Sequence, residues 1–367
     1  QQVVGVVHGQ ELLQFRDYGA LVLTREISRA QSADEVIARC RRVPELAGAL
    51  LGSGASPQSV TRMIAAATDA AVERFVDLAQ QALGPLPGRF VFLALGSHGR
   101  QEQTLFSDQD NAIAYEETAD AERDRQAGDY FAAMGRMVCG WLNDAGLAFC
   151  PGNKMANNPE WCQPVPVWRR SFHEWVRRAE SKELLDVAVF FDLRAVAGDA
   201  ELATELRQYV HGVVQATPAF LTHFAQNAQM FRPPLRLFGR IVGVGGEGPG
   251  HLNLKDAMMP IVTLARLYAL RHGVQETHTL RRLEALVELN VLPEPSLEET
   301  AAAYDFLLRL RLRSQAEAIQ AGHTPDNLVD HRRLGHLDRA LLRQSLAQIA
   351  AIQQRISHDF LGDLPGA

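Results

Sequence analysis

Two aspartates, Asp108 and Asp110, stand two positions apart just before an apolar run of strand length. Side chains two apart on a strand point to the same face, so the carboxylates are expected about 7 Å apart. Two carboxylates this close repel each other unless a cation lies between them. Oxygen ligands suit Mg²⁺, which proteins typically hold with one or two carboxylates and substrate phosphates. The pair therefore predicts a Mg²⁺ site, with Mn²⁺ as the alternative ion.

A glycine–serine turn precedes the aspartates. The apolar run 90–95 has strand length, and Gly96 and Ser97 follow it directly. Glycine at this place lets backbone N–H groups approach a phosphate with no Cβ in the way. One strand thus delivers a phosphate cradle and the next a metal pair, a combination that suits nucleotidyl transfer. A solvated turn at Asp108 and Asp110 is the alternative, and the apolar strand after the pair disfavours it.

The string from Gly96 to Asn111 resembles the signature of the DNA polymerase beta type nucleotidyltransferase superfamily, with Gly-Ser, Arg100 and then Ser-Asp-x-Asp. In its narrower form it is similar to nucleotidyltransferases found beside CBS or cyclic-nucleotide-binding domains, relatives of the GlnD-type protein-PII uridylyltransferases. The resemblance implies a nucleoside triphosphate substrate, Mg²⁺ or Mn²⁺, and a protein hydroxyl as acceptor in a signalling context. A small-molecule nucleotidyltransferase and a non-catalytic nucleotide-sensing module remain alternatives.

The resemblance also implies how the turn contacts the nucleotide. Ser97 and the backbone after Gly96 are expected to hold the β and γ phosphates. Arg100 either clamps a phosphate or pairs with Glu102, and both residues are candidates for nucleotide binding.

A long loop, residues 151–166, is the next candidate. Long ordered loops are often functional, and Cys150 to Trp161 matches the Cys-x-Gly-x-x-Met-Ala-x-Asn-Pro-x-Trp pattern of the resembled family. We expect the loop to form one side of the nucleotide-binding or acceptor-binding site. Lys154 within it either meets a phosphate or is solvated.

The superfamily that the signature resembles uses a third carboxylate from a later strand as the base that activates the incoming hydroxyl. Read as a strand, residues 183–199 place Asp186, Asp192 and Arg194 on one face. Asp192 is the first candidate for the base and Asp186 the second. A helix is an open alternative, because periodicity cannot separate the two for so apolar a run. A buried structural role for Asp192, paired with Arg194 or with backbone, is the alternative to catalysis.

The elements that position these residues indicate an α+β protein. A polymerase-beta-like domain with a small mixed sheet is flanked by an N-terminal helical region and a C-terminal helical substrate-binding domain. The predicted parts are a possible CBS-domain tail (1–19, from the resemblance of 2–16), a helical connector (20–87), the nucleotidyltransferase domain (88–199) and the C-terminal domain (200–367). In the connector, a helix that ends at Gly84-Pro85 is predicted from apolar residues at three- and four-residue spacing, namely Val60, Ile64, Ala67, Ala71, Phe75 and Leu78. In the C-terminal domain, residues 235–244 and 252–254 are predicted to form a hairpin.

Composition excludes some classes of protein. The chain has 367 residues, a formal charge of −6 and 47% hydrophobic residues, so neither a basic nucleic-acid footprint nor a disordered chain is indicated. No apolar run reaches the ~20 residues of a membrane span. The four cysteines lack Cys-x-x-Cys spacing and are expected to be reduced thiols in a cytoplasmic protein.

Overall fold

The structure is a computed structural model that describes residues 19, 21–118, 120–178, 186–231, 235–236, 240–241 and 250–362. The segment 2–16, predicted to resemble the tail of a CBS domain, lies outside the described residues.

Helices come first along the chain: α1 (residues 21–28), α2 (Ala33–Cys40), α3 (Val43–Gly52) and α4 (Pro57–Leu83). The long helix α4 begins at Ser56, whose side chain accepts the N–H of Ser59, and it ends at Gly84, whose φ of 90° favours glycine. Its apolar residues at three- and four-residue spacing are buried. The predicted helix that stops at Gly84 is thus confirmed.

A four-stranded mixed sheet follows, built from β1 (Phe90–Ala94), β2 (Asn111–Tyr115), β3 (Cys162–Pro164) and β4 (Arg194–Gly198) in the order β3-β2-β1-β4. Strand β1 is antiparallel to β2 and β4, and β2 is parallel to β3. Every residue of β1 and β2 is buried.

Helices cover both faces of this sheet. Phe92 and Ile113 pack in one apolar cluster with α4 and with α6 (Ala121–Asp144). Leu93 and Ala112 face the other cluster, with α7 (Val165–Arg178) and α8 (Ala200–Gln215). Burial on both faces explains why the two strands read as continuous apolar runs rather than as alternating ones.

The stretch 183–199 differs from the expected strand. Of its described residues, 186–199, Ala188–Asp192 form a 3₁₀ helix and Arg194–Gly198 form a strand. Asp186 and Asp192 therefore do not share a strand face with Arg194. The aromatic side chains favour the 3₁₀ helix, because Phe190 and Phe191 pack in the same apolar cluster, whereas successive side chains of a strand point to opposite faces.

The C-terminal half is mainly helical. Its further helices are α9 (Pro218–Ala228), α10 (Leu254–His272), α11 (Thr279–Glu288), α12 (Glu294–Gln320) and α13 (His336–Ile356), and its strands are β5 (Leu235–Arg236), β6 (Arg240–Ile241), β7 (His251–Asn253) and β8 (Leu328–Asp330). Helix α10 is buried on nearly all sides. The hairpin predicted from 235–244 and 252–254 is wrong: β5 pairs with β6, and β7 pairs with β8.

The fold is thus α+β, with a small mixed sheet followed by a helical C-terminal half. Among the described helices, none combines the length and the apolarity needed to cross a bilayer. All four cysteines lie in the described ranges and none is in a disulfide.

Candidate active site

The turn after β1 is a one-turn helix, α5 (Gly96–Gly99), and close packing dictates its two glycines. Gly96 has a φ of 51°, and a Cβ there would lie 2.8 Å from Oδ2 of Asp110. A Cβ on Gly99 would lie 2.0 Å from the carbonyl oxygen of Asp192. Any larger residue at either place must displace backbone or the carboxylate. The glycines therefore let Asp110 and the 188–192 segment approach the turn.

Asp108 and Asp110 lie side by side just before β2. Their carboxylate oxygens and Sγ of Cys150 all lie within 4.8 Å of one another, and all three residues are half-buried. Within the described residues this is the group whose spacing fits a metal ion. The Leu95 N–H donates to the Asp110 carbonyl oxygen over 2.9 Å, which extends the β1–β2 ladder and aligns the carboxylate with Gly96. The structure thus brings together the two carboxylates and the glycine turn.

The electrostatics of the pair suit a cation. Burial raises the pKa of the Asp110 carboxyl to about 6, and the negative charge of Asp108 adds to the rise. A hydrogen bond from the Cys150 thiol and the charges of Lys255 and Lys154 oppose it. Two carboxylate oxygens are the donors that Mg²⁺ takes, so Asp108 and Asp110 fit that ion.

Cys150 does not fit a hard cation. Burial, followed by the charge of Asp110, raises the pKa of its thiol to about 11, so the sulfur stays protonated at neutral pH. Metals bind the thiolate and not the thiol. Cys150 is therefore a hydrogen-bond donor to Asp110 in this arrangement, and the carboxylates are the ligands.

Metal affinity is expected to fall as the pH drops below about 6. A proton on Asp110 competes with the ion, because a ligand must be deprotonated to bind. Calorimetric titration with Mn²⁺ should show nearly constant affinity above about pH 7 and a loss approaching tenfold per pH unit below about pH 5. Asp110→Asn should lose most of the affinity and the pH dependence together. A flat wild-type profile would contradict the assignment of Asp110.

Asp110 lines a cavity of about 160 Å³ to which both halves of the chain contribute residues. Its lining includes the turn residues Gly96 and Ser97, and three cationic side chains, from Arg100, Lys255 and Arg266. The last two come from α10, and sequence reasoning did not select them. Lys255 belongs to no recognised motif, and only the fold shows that α10 reaches the turn.

The loop after α6 is held against the site by Asn111. The Asn111 side-chain oxygen accepts the N–H of Ala156 over 2.8 Å, and its backbone N–H donates to the Lys154 carbonyl oxygen over 3.1 Å. Lys154 is half-buried, and its ammonium lies 3.8 Å from the exposed Asp186 carboxylate. Its charge also acts on Asp110. The loop thus contributes a positive charge that acts on Asp110, although Lys154 is not part of the cavity lining.

Asp192 is fully buried and surrounded by guanidinium groups. Its Oδ2 accepts from Arg100 and from Arg266, each over 2.5 Å, and its Oδ1 accepts from Arg282 over 2.7 Å. These three charges hold the pKa of Asp192 well below its usual range despite burial. A general base must reach the proton that it abstracts and must accept it near the working pH. This environment argues against the expected role of Asp192 as a base.

The expected partner Arg194 bonds elsewhere. Its Nη2 donates to Oδ1 of Asp69 on α4 over 2.8 Å, and Nε2 of His98 also lies 2.8 Å from that oxygen. The glycine turn is therefore tied to the N-terminal helices as well as to the sheet.

Glu102 is buried and lies outside the cavity lining. Its Oε2 accepts from Nε of Arg100 over 2.7 Å, and its Oε1 accepts from the backbone N–H of Thr279 over 2.6 Å. Burial raises its pKa, but Arg100 and His278 outweigh that effect and the net shift is downward. Glu102 thus connects the turn to the C-terminal half and does not line the cavity, where it was predicted to bind the nucleotide. Arg100 pairs with Glu102 and still lines the cavity.

The two later strands of the four-stranded sheet contain no third carboxylate. Strand β3 consists of Cys-Gln-Pro and β4 of Arg-Ala-Val-Ala-Gly, so neither contains Asp or Glu. Asp186, the second candidate, is exposed and lies before the 3₁₀ helix. In the described residues, the site therefore has the two carboxylates that precede β2, Asp108 and Asp110, and none from β3 or β4.

The mixed sheet, the glycine turn and the paired carboxylates are the features of a nucleotidyltransferase domain. Comparison with protein families agrees: the family described as "Putative nucleotidyltransferase DUF294" matches residues 41–182. The family described as "Putative nucleotidyltransferase substrate binding domain", DUF294_C, matches residues 218–360. Together the two matches cover most of the chain, so its two parts are similar to a nucleotidyltransferase domain and to the substrate-binding domain of such proteins. No curated protein matches the chain.

Proposed function

We propose that this protein is a Mg²⁺-dependent nucleotidyltransferase that moves a nucleoside monophosphate from a nucleoside triphosphate to an acceptor hydroxyl. One observation carries the proposal: Asp108 and Asp110 stand together against the Gly96 turn, and Asp110 lines a cavity that also contains cationic side chains. The family matches support the same class of reaction.

Asp108 and Asp110 would hold the ion between them. When bound, Mg²⁺ supplies positive charge that offsets charge developing on the phosphates and orients them. Ser97 lines the cavity with a half-buried hydroxyl that can donate to a phosphate oxygen. Arg100 and Arg266 are held in place by Asp192, so their charges are fixed before any ligand arrives.

Lys255 is the exposed cation of the cavity and lies in the first turn of α10. We expect Lys255→Met to weaken binding of nucleoside triphosphate with Mn²⁺ by about tenfold or more, because a charged hydrogen bond to phosphate is lost. Arg281→Met, at an exposed cation on α11, is the control and should change nothing. Equal affinities for wild type and Lys255→Met in calorimetry would exclude Lys255 from the phosphate site.

The acceptor proposed is a protein hydroxyl, which rests on the resemblance of residues 96–111 to the GlnD-type enzymes. Regulation by a CBS domain in a cytoplasmic signalling system belongs to the same proposal, and it rests on the resemblance of residues 2–16.

A non-catalytic nucleotide-sensing module is the second candidate. The observation that favours it is the lack of a carboxylate on β3 and β4. Such a module would use the same cavity to bind nucleotide, and it would signal through the contacts of the C-terminal half with the turn.

The test incubates the protein and a cell lysate with each α-labelled nucleoside triphosphate in the presence of Mg²⁺ or Mn²⁺. Label in a protein band supports transfer to a protein. Label in a small molecule would replace the proposed acceptor by a metabolite. No label, together with measurable nucleotide binding, would favour the sensing module.

A further inference from the structure

A buried amide in the cavity has no partner in the described part of the chain. Asn227 on α9 is 2% exposed, and both its Nδ2 and its Oδ1 lack a hydrogen bond there. The side chain lines the same cavity as Asp110. Buried side-chain amides in folded proteins are nearly always hydrogen-bonded, since burial without a partner is unfavourable. An amide left open in a cavity therefore points to a ligand that bonds it.

The surroundings of Asn227 are apolar. Phe224 lies one helical turn earlier, and Phe231 and Met259 also line the cavity. Thr263, one turn after Met259 on α10, adds a buried hydroxyl. The cavity thus combines two chemistries: the Asp110 carboxylate and cationic side chains near the turn, and aromatic and aliphatic side chains around one amide.

A nucleoside triphosphate has the same two kinds of surface, one charged and one largely apolar. Its phosphates are polyanionic, whereas its base has apolar faces and an edge that carries hydrogen-bond donors and acceptors. A side-chain amide offers one donor group and one acceptor, which match a base edge where a donor stands next to an acceptor.

We propose that Asn227 bonds the edge of the nucleobase and that Phe231 and Met259 pack against its faces. The C-terminal half then selects the nucleotide, while the turn and the carboxylates bind its phosphates. This assignment rests on the proposed function, because it takes a nucleoside triphosphate as the ligand.

The test separates the base from the phosphates. Calorimetric titrations of the intact chain with Mn²⁺ use ATP, GTP, CTP and UTP, and inorganic tripolyphosphate as a probe without a base. Wild type should bind its preferred nucleotide at least about tenfold more tightly than tripolyphosphate. Asn227→Leu should lower that ratio several-fold and abolish the preference among bases, with tripolyphosphate binding unchanged.

Two variants complete the design. Gln226→Leu, an exposed neighbour on the same helix, should leave every affinity unchanged. Asn227→Asp keeps the shape of the side chain but removes the hydrogen-bond donor, so it should alter the order of preference among the four nucleotides. This variant also provides the test if Asn227→Leu does not fold.

The outcomes are distinct. If Asn227→Leu and Asn227→Asp keep the wild-type preference while nucleotide still binds, water satisfies the amide, and the assignment fails while the proposed function stands. If wild type binds neither nucleotide nor tripolyphosphate with Mn²⁺, the proposed function and the assignment fail together.

Discussion

Replacing Asp108 or Asp110 by asparagine is expected to reduce nucleotidyl transfer by roughly 10²–10³-fold or more. Each variant removes one of the two carboxylates that face each other within 4.8 Å and that would hold the ion. An amide is close to the carboxylate in shape, so the loss reports charge and not packing. Asp129→Asn, at an exposed carboxylate on α6, is the control and should keep full activity. Activity above a few per cent in either site variant would contradict the metal assignment.

Stability should move in the opposite direction for Asp110→Asn. The pKa of Asp110, raised to about 6 in the folded protein, compares with about 4 for an unfolded aspartate. Between these values the folded state binds the extra proton, so stability from this group falls as the pH rises from about 4 to about 6 and then stays constant. Without metal, the variant should therefore unfold at or above the wild-type temperature at neutral pH. A lower transition temperature would show that Asp110 has a structural role.

The second large effect is expected at Asp192. Asp192→Asn should lower the free energy of unfolding by about 3–5 kcal/mol, the usual effect of removing one partner from a buried ion pair. Three guanidiniums, from Arg100, Arg266 and Arg282, lose the carboxylate that they share. Denaturant unfolding at neutral pH measures the loss. Because the pKa of Asp192 is depressed, its contribution is present above about pH 4 and is lost only as the pH falls well below that value.

Asp199→Asn is the matched control for this substitution. Asp199 pairs with Arg89 at the surface and caps α8, and asparagine caps a helix about as well as aspartate. The free energy of unfolding of Asp199→Asn should fall by no more than about 1 kcal/mol. If Asp192→Asn were as stable as this control and yet turned over slowly, Asp192 would act in the reaction and the structural assignment would be wrong.

The sequence predicted those parts of the fold and site that depend on residues close together in the chain. The strands β1 and β2, the glycine turn between them and the juxtaposition of Asp108 and Asp110 follow from the spacing within residues 90–115. The helix α4 followed from its three- and four-residue periodicity and its glycine end. Residues that are near in sequence determine these features, so a short stretch of the chain is enough to predict them.

The remaining features depend on distant partners. Asp192 contacts Arg266 and Arg282, which are 74 and 90 residues away in sequence, and Asn227 shares a cavity with Asp110 only because α9 and α10 pack over the turn. The segment 188–192 is a 3₁₀ helix and not the expected strand, and Phe190 and Phe191 pack in the same apolar cluster as side chains from distant parts of the chain. Residue spacing along the chain does not predict contacts between such distant residues. The sequence alone therefore could not show that three arginines surround Asp192 and argue against its role as a base.

The most direct test of nucleotidyl transfer follows the two ends of the triphosphate. Purified protein, Mg²⁺ and a lysate are incubated with the preferred nucleotide labelled either at the α or at the γ phosphorus, with the Asp108→Asn variant in parallel. The account predicts α label in the acceptor, γ label in released pyrophosphate, and neither product with the variant. γ label in the acceptor, or in inorganic phosphate with no α label transferred, would show that the bond broken is not the one at the α phosphorus and would contradict the account.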